Sequence, residues 1–125
     1  MRCVNAIYIP NDKEEQFYTL RLIKADCCDE SLRLEGAVFD LYKKENNRCG
    51  YSPVLKGLHT DKNGEVFIEN LSAGRYKLLE RQAPASYVIC NKSGWIFDIN
   101  PCVADDMMNV DMMIYNCRDG CFFYM

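Results

Sequence analysis

The chain has no long apolar run, a single histidine, a single tryptophan, four prolines and no excess of basic residues. Each shortage excludes something. A membrane helix needs roughly 20 consecutive apolar residues, so no membrane span is expected. With 15 Lys and Arg against 18 Asp and Glu, the net charge is −3, which lacks the basic footprint of a nucleic-acid binder. The first ten residues, Met1–Pro10, are apolar too briefly for a signal peptide; an exported form would have lost its signal or belong to a longer parent chain. No apolar stripe of 3.6-residue period runs for a useful length, and there is no internal repeat or low-complexity segment.

What is present suits one soluble domain: 125 residues, 49% hydrophobic and 26% charged, enough to bury a core but too few for two. The cysteines are Cys3, Cys27, Cys28, Cys49, Cys90, Cys102, Cys117 and Cys121. A full disulfide framework is open to them, but the apolar patterning favours mostly free thiols or one or two bridges. Cys27 and Cys28 are adjacent and poorly placed to pair with each other. Only Cys117–Cys121 approaches a metal-binding spacing, and with His59 as the sole histidine no metal is expected. Asp105, Asp106 and Asp111 lack the spacing of a calcium loop and read as solvated.

Short alternating runs divided by turn residues dominate the chain. Strands are expected over 17–26, 36–42, 54–60, 65–70, 75–82, 87–90, 94–99 and 111–117. Asp26–Ser31 reads as a polar loop, Lys43–Gly50 as a solvated connection, and Asn63-Gly64 as a tight turn that uses positive φ. The runs 87–90 and 94–99 are expected to pair as a hairpin across Asn91-Lys92-Ser93, and Val103–Met108 to form at most a helical turn. Seven or eight such strands predict an all-β, antiparallel sandwich. The expected domain spans 17–117, preceded by an extension or edge strand over 1–16 and followed by a tail over 118–125, where Phe122-Phe123-Tyr124 either packs on the domain or forms a sticky end.

Successive strand side chains point to opposite faces. That alternation puts Lys24 on the face of Tyr18, Leu20 and Leu22, Glu80 on that of Tyr76 and Leu78, and Asn116 on that of Val110, Met112 and Ile114. An amine, a carboxyl and a carboxamide directed into a core need partners, because unpaired burial costs several kcal/mol each. The economical solution is that they meet. Burial among Leu22, Phe39, Tyr76 and Ile114 would lower the Lys24 pKa and raise that of Glu80. A neutral amine beside a protonated carboxyl can attack the amide, with Glu80 polarising the Asn116 carbonyl and relaying protons as ammonia leaves. A plain hydrogen-bonded network is the simpler alternative.

The stretches Leu22–Asp26, Leu34–Tyr42 and Thr60–Pro84, the last running through Asp61-Lys62-Asn63-Gly64 and Leu71-Ser72-Ala73-Gly74-Arg75-Tyr76, resemble the collagen-adhesin B-type domain (Cna-B, SpaA pilin-like, prealbumin-like). The resemblance covers about 20–116. It implies a prealbumin-like, inverse immunoglobulin-like sandwich serving as a structural or stalk module of a Gram-positive surface protein, adhesin or pilin. It further implies an isopeptide bond between Lys24 and Asn116, assisted by Glu80. Such a bond forms once per molecule, so no enzyme, no cofactor and no metal are expected. Neighbouring domains of a longer surface protein, or a host or partner protein, are the expected partners of a monomer at the cell surface or secreted. Ser86 stands where the family often has Gly, and eight cysteines are unusual for these modules.

The alternative is a sandwich without the crosslink that binds carbohydrate or a partner protein, for which Trp95, Phe97 and Tyr87 would form a glycan platform. A transthyretin-like hydrolase would want several histidines, and His59 alone argues against it.

Overall fold

The computed structural model describes residues 2–4, 7–9, 16–46 and 49–118, the first two segments by their backbone. Phe122-Phe123-Tyr124 and the side chains of Cys3 and Cys121 lie outside the described residues. In chain order the strands are β1 (Arg2–Val4), β2 (Ile7–Ile9), β3 (Phe17–Asp26), β4 (Asp29–Arg33), β5 (Val38–Lys44), β6 (Tyr51–His59), β7 (Glu65–Ser72), β8 (Gly74–Gln82), β9 (Tyr87–Val88), β10 (Trp95–Ile99) and β11 (Asn109–Arg118).

Period-two burial builds the sandwich. Tyr18, Leu20 and Leu22 of β3, Tyr76 and Leu78 of β8, and Val110 and Ile114 of β11 face one shared core with Ala37, Phe39, Leu41, Val66, Ile68, Leu71 and Ile99. One sheet has four strands in the order β10-β8-β5-β6; the other has five, β4-β3-β11-β9 with β7 also on β3. Strands β1 and β2 form a separate antiparallel pair.

Among the described residues pairing is antiparallel with one exception: β3 and β11 run parallel, with Lys24 opposite Ile114 and Asn116 opposite Asp26. A parallel pair cannot be made by a hairpin and needs the whole intervening chain as its crossover. The two strands that carry Lys24 and Asn116 are therefore neighbours in space and extremes in sequence.

Two expectations are corrected. Asp29–Arg33 is a strand, although every residue in it is exposed; with no buried face it carries no alternating signal. The expected 87–90/94–99 hairpin does not form. Tyr87 and Val88 pair with β11 in one sheet, whereas Trp95–Ile99 pairs with β8 in the other. The Asn91 side chain closes the intervening turn on itself, donating to the Gly94 carbonyl at 2.8 Å and accepting from the Gly94 N–H at 3.1 Å. That turn carries the chain from one sheet to the other. Val103–Met108 forms no helix: the Ala104 N–H to Asn100 carbonyl bond reaches back before it, and the Met108 N–H to Asp105 carbonyl bond closes a turn within it.

Candidate functional site

Lys24 on β3 and Asn116 on β11 approach from one sheet, and Glu80 on β8 crosses the core from the other. All three are buried: Lys24 and Asn116 are 0% exposed and Glu80 4%. A single carboxylate oxygen, Glu80 Oε1, lies 3.3 Å from Lys24 Nζ and 3.2 Å from Asn116 Nδ2. The sequence-predicted trio therefore meets around one atom.

The residues expected around the site, Leu22, Phe39, Tyr76 and Ile114, are all 2% exposed or less; Tyr76 itself is engaged with Ser72, Lys43 and Phe97. The Phe39 ring centroid lies 5.4 Å from Lys24 Nζ, and that of Trp95 lies 5.7 Å away. Removal from water dominates the electrostatics. It pulls the Lys24 pKa down from 10.5 to about 8 against the opposing pull of Glu80. The same desolvation pushes Glu80 up, more than Lys24 and Asn116 pull it down. Both shifts favour the neutral pair.

One detail differs from the expected arrangement. Glu80 contacts the amide nitrogen of Asn116, not its carbonyl oxygen, because the amide is held from its other side: Nδ2 also donates to the Val88 carbonyl at 2.8 Å. Turning the amide over would set two carbonyl oxygens against each other. Asn116 Oδ1 and Glu80 Oε2 are left buried without hydrogen-bond partners, a costly condition for polar atoms in a core.

Sequence reasoning missed several supporting residues. Val88, on β9 beside β11 and not in the expected hairpin, orients the amide through its carbonyl. Trp95 belongs to this interior, and Phe97 stacks on Tyr76 with ring centroids 6.0 Å apart. Tyr87 lies on the opposite sheet and donates to Asp26 at 2.8 Å, so the three aromatics do not share a glycan platform. Gly64 fixes the Lys24 backbone: its carbonyl accepts from the Lys24 N–H at 2.8 Å. The foreseen Asn63-Gly64 turn has φ +74° at Gly64, and a Cβ there would lie 2.9 Å from the Lys24 carbonyl oxygen.

Cys27 at the end of β3 and Cys117 on β11 form a disulfide, and Cys102 is also disulfide-bonded. Asp26, Cys27 and Cys28 are the one cluster with metal-like proximity among the described residues, but the Cys27 sulfur is committed to the bridge. Asp105 accepts from the Met107 and Asn109 N–H groups at 2.8 and 2.9 Å, while Asp111 pairs with Arg21; their roles are local. His59 is exposed, with Nδ1 3.0 Å from the Gly57 carbonyl.

The family model of the SpaA prealbumin-like fold domain matches residues 18–113. The chain belongs to this family. Among solved structures it is similar to BcpA, the major pilin subunit of Bacillus cereus, at 29% identity and a TM-score of 0.64, over 81% of this chain and 29% of that one. The fold also matches domains D2 and D3 of the major pilin SpaD from Corynebacterium diphtheriae, with TM-score 0.74, 20% identity, and 85% and 48% coverage. A third match is the Bacillus anthracis TIE protein, with TM-score 0.66, 24% identity, and 82% and 17% coverage. The chain spans less than half of each of these proteins. No curated protein matches it. It is a prealbumin-like β-sandwich of the kind found in pilins, and no helix among the described residues is long and apolar enough to cross a membrane.

Proposed function

We propose that this domain, over 17–117, is a structural stalk module of a Gram-positive surface protein or pilin, stabilised by a self-formed isopeptide bond between Lys24 and Asn116. The observation that carries the reading is the shared Glu80 oxygen, within 3.3 Å of both the attacking and the leaving nitrogen. Lys24 Nζ, once neutral, attacks Asn116 Cγ. The Nζ–Cγ bond forms, the Cγ–Nδ2 bond breaks, and Glu80 carries a proton from Nζ to Nδ2 so that ammonia departs. Phe39, Tyr76, Trp95, Leu22 and Ile114 exclude water, and folding supplies the high effective concentration of the reactants. The step occurs once and consumes its own substrate, so the domain is not an enzyme in the turnover sense.

The partners in this reading are neighbouring domains of a longer chain displayed at the cell surface, with the module itself monomeric. Intact mass tests the chemistry. The folded chain should weigh less than its sequence by one ammonia beyond the hydrogens lost to disulfides, and Lys24→Met should restore that ammonia. A folded wild-type chain of full amide mass would overturn the reading.

A further inference from the structure

The disulfide sits beside the proposed reaction centre, on the same two strands. Cys27 follows the last residue of β3, and Cys117 follows Asn116 on β11. Their Cα atoms are 5.2 Å apart, and the Cys27 N–H donates to the Asn116 carbonyl at 2.9 Å. Cys117 is also the residue paired with Val88, whose carbonyl holds the Asn116 amide at 2.8 Å. One bridge thus borders three things the reaction needs: the β3–β11 register, the backbone of Asn116, and the strand that orients its amide.

Register is the vulnerable quantity. A one-residue slip of a strand turns every side chain to the other face, which here would take Asn116 out of the core and away from Glu80. The buried alternation of Val110 and Ile114 opposes such a slip. A parallel pair between strands far apart in sequence has no hairpin to set its offset, however, so a covalent tie adds a constraint that the connection does not supply.

We propose that the Cys27–Cys117 disulfide is a positioning clamp for the Lys24–Asn116 crosslink, locking the strand register in which amine, carboxyl and amide meet, so that thiol oxidation precedes and accelerates amide formation. This rests on the isopeptide reading above. In the first step two thiols become one disulfide, and two electrons and two protons pass to an external thiol–disulfide oxidant. The second step exchanges no electrons; it forms Nζ–Cγ, breaks Cγ–Nδ2 and releases ammonia. The first link is reversible by reductant and the second is not, so the clamp becomes dispensable once the amide has formed.

The test follows ammonia loss by intact mass after refolding oxidised wild type and Cys27→Ser/Cys117→Ser side by side, with circular dichroism reporting the folded fraction. The folded variant should react about tenfold or more slowly, reflecting lost pre-orientation, with the same pH profile because Lys24 and Glu80 remain buried. A purely stabilising disulfide would slow the reaction only in proportion to the unfolded fraction. Should the serine variant not fold, wild type made under reductant provides the second arm: its slow reaction should accelerate when oxidised glutathione is added. Equal rates with and without the bridge would overturn the clamp alone. Full amide mass in oxidised wild type would overturn the crosslink and the clamp together.

Discussion

Asp26 and Glu80 are both buried residues, but the Asp26 side chain sits near the surface at the end of β3, 6% exposed, and that of Glu80 lies across the core, 0% exposed. Their pKa values move in opposite directions. Asp26 accepts from the Cys28 N–H at 2.7 Å, the Tyr87 hydroxyl at 2.8 Å and the Arg118 Nε at 3.3 Å. The Cys28 and Tyr87 hydrogen bonds hold it below its usual range. Glu80 has one oxygen shared between two nitrogens and one with no partner, and desolvation pushes it up. Depth and donors together therefore decide how each carboxyl titrates. A carboxyl surrounded by donors is held as a fixed anion; one left short of donors beside an amine keeps its proton available.

The largest effect expected concerns the Cys27–Cys117 disulfide and the proposed Lys24–Asn116 bond, both between the β3 and β11 regions. They close nearly the same loop, so their contributions overlap and are strongly non-additive. Removing either from oxidised, reacted protein should cost little chain entropy, whereas removing both, as in Lys24→Met/Cys27→Ser/Cys117→Ser, should cost about 4–5 kcal/mol relative to a chain with one link. Urea unfolding of the four combinations checks this; simple additivity would contradict it.

Gly64→Ala comes next. The added carbon would meet the Arg33 side chain, the Leu34 N and the Lys24 carbonyl oxygen, each at 2.9 Å, at a φ of +74°. Crowding and left-handed strain together should cost about 2–4 kcal/mol, and the displaced Lys24 backbone should slow ammonia loss.

Tyr87→Phe probes the contrasting carboxyl. It removes one donor from Asp26 and should cost about 1 kcal/mol at neutral pH while leaving the crosslinked mass unchanged. Because the folded Asp26 pKa is depressed, its contribution exists above the ordinary value of 3.8 and is lost as pH falls through the folded value. The difference between wild type and variant should therefore shrink on acidification. For the reactive pair, the rate of ammonia loss should follow a bell. Attack needs one proton on the Lys24–Glu80 pair, so the rate falls on the acid side as a second proton binds and on the alkaline side above about 8 as the last one leaves.

The smallest effect lies at Ser86. Its φ of 73° and the Tyr87 N–H to Pro84 carbonyl bond of 3.0 Å make a turn that a glycine would enter without strain. Ser86→Gly should raise stability by about 0.5–1 kcal/mol, the left-handed penalty less the extra chain entropy.

Much of this was readable in advance. Period-two alternation put Lys24, Glu80 and Asn116 on inward faces, and Asn63-Gly64 announced its turn. What alternation could not convey was which sheet a short strand joins. Tyr87–Val88 is only two residues long, and its placement beside β11 depends on the side-chain turn at Asn91 and on Asp26, far off in sequence. Trp95 is a half-buried strand aromatic, and its approach to Lys24 follows from the pairing of β10 with β8, which its own alternation does not encode. The Cys27–Cys117 pairing was hidden because it depends on a parallel register between sequence extremes, which no local pattern encodes. Thr60 is likewise buried, and its hydroxyl donates to the Leu34 carbonyl at 2.8 Å and accepts from the Ala37 N–H at 3.1 Å; it lies just beyond a strand end, where periodicity carries no information.

The most direct measurement is tandem mass spectrometry of the protein after reduction, denaturation and proteolysis. A branched peptide joining Lys24 to Asn116 should appear in wild type and vanish in Glu80→Gln. Two separate linear peptides from the folded wild-type chain, each at its full sequence mass, would contradict the account.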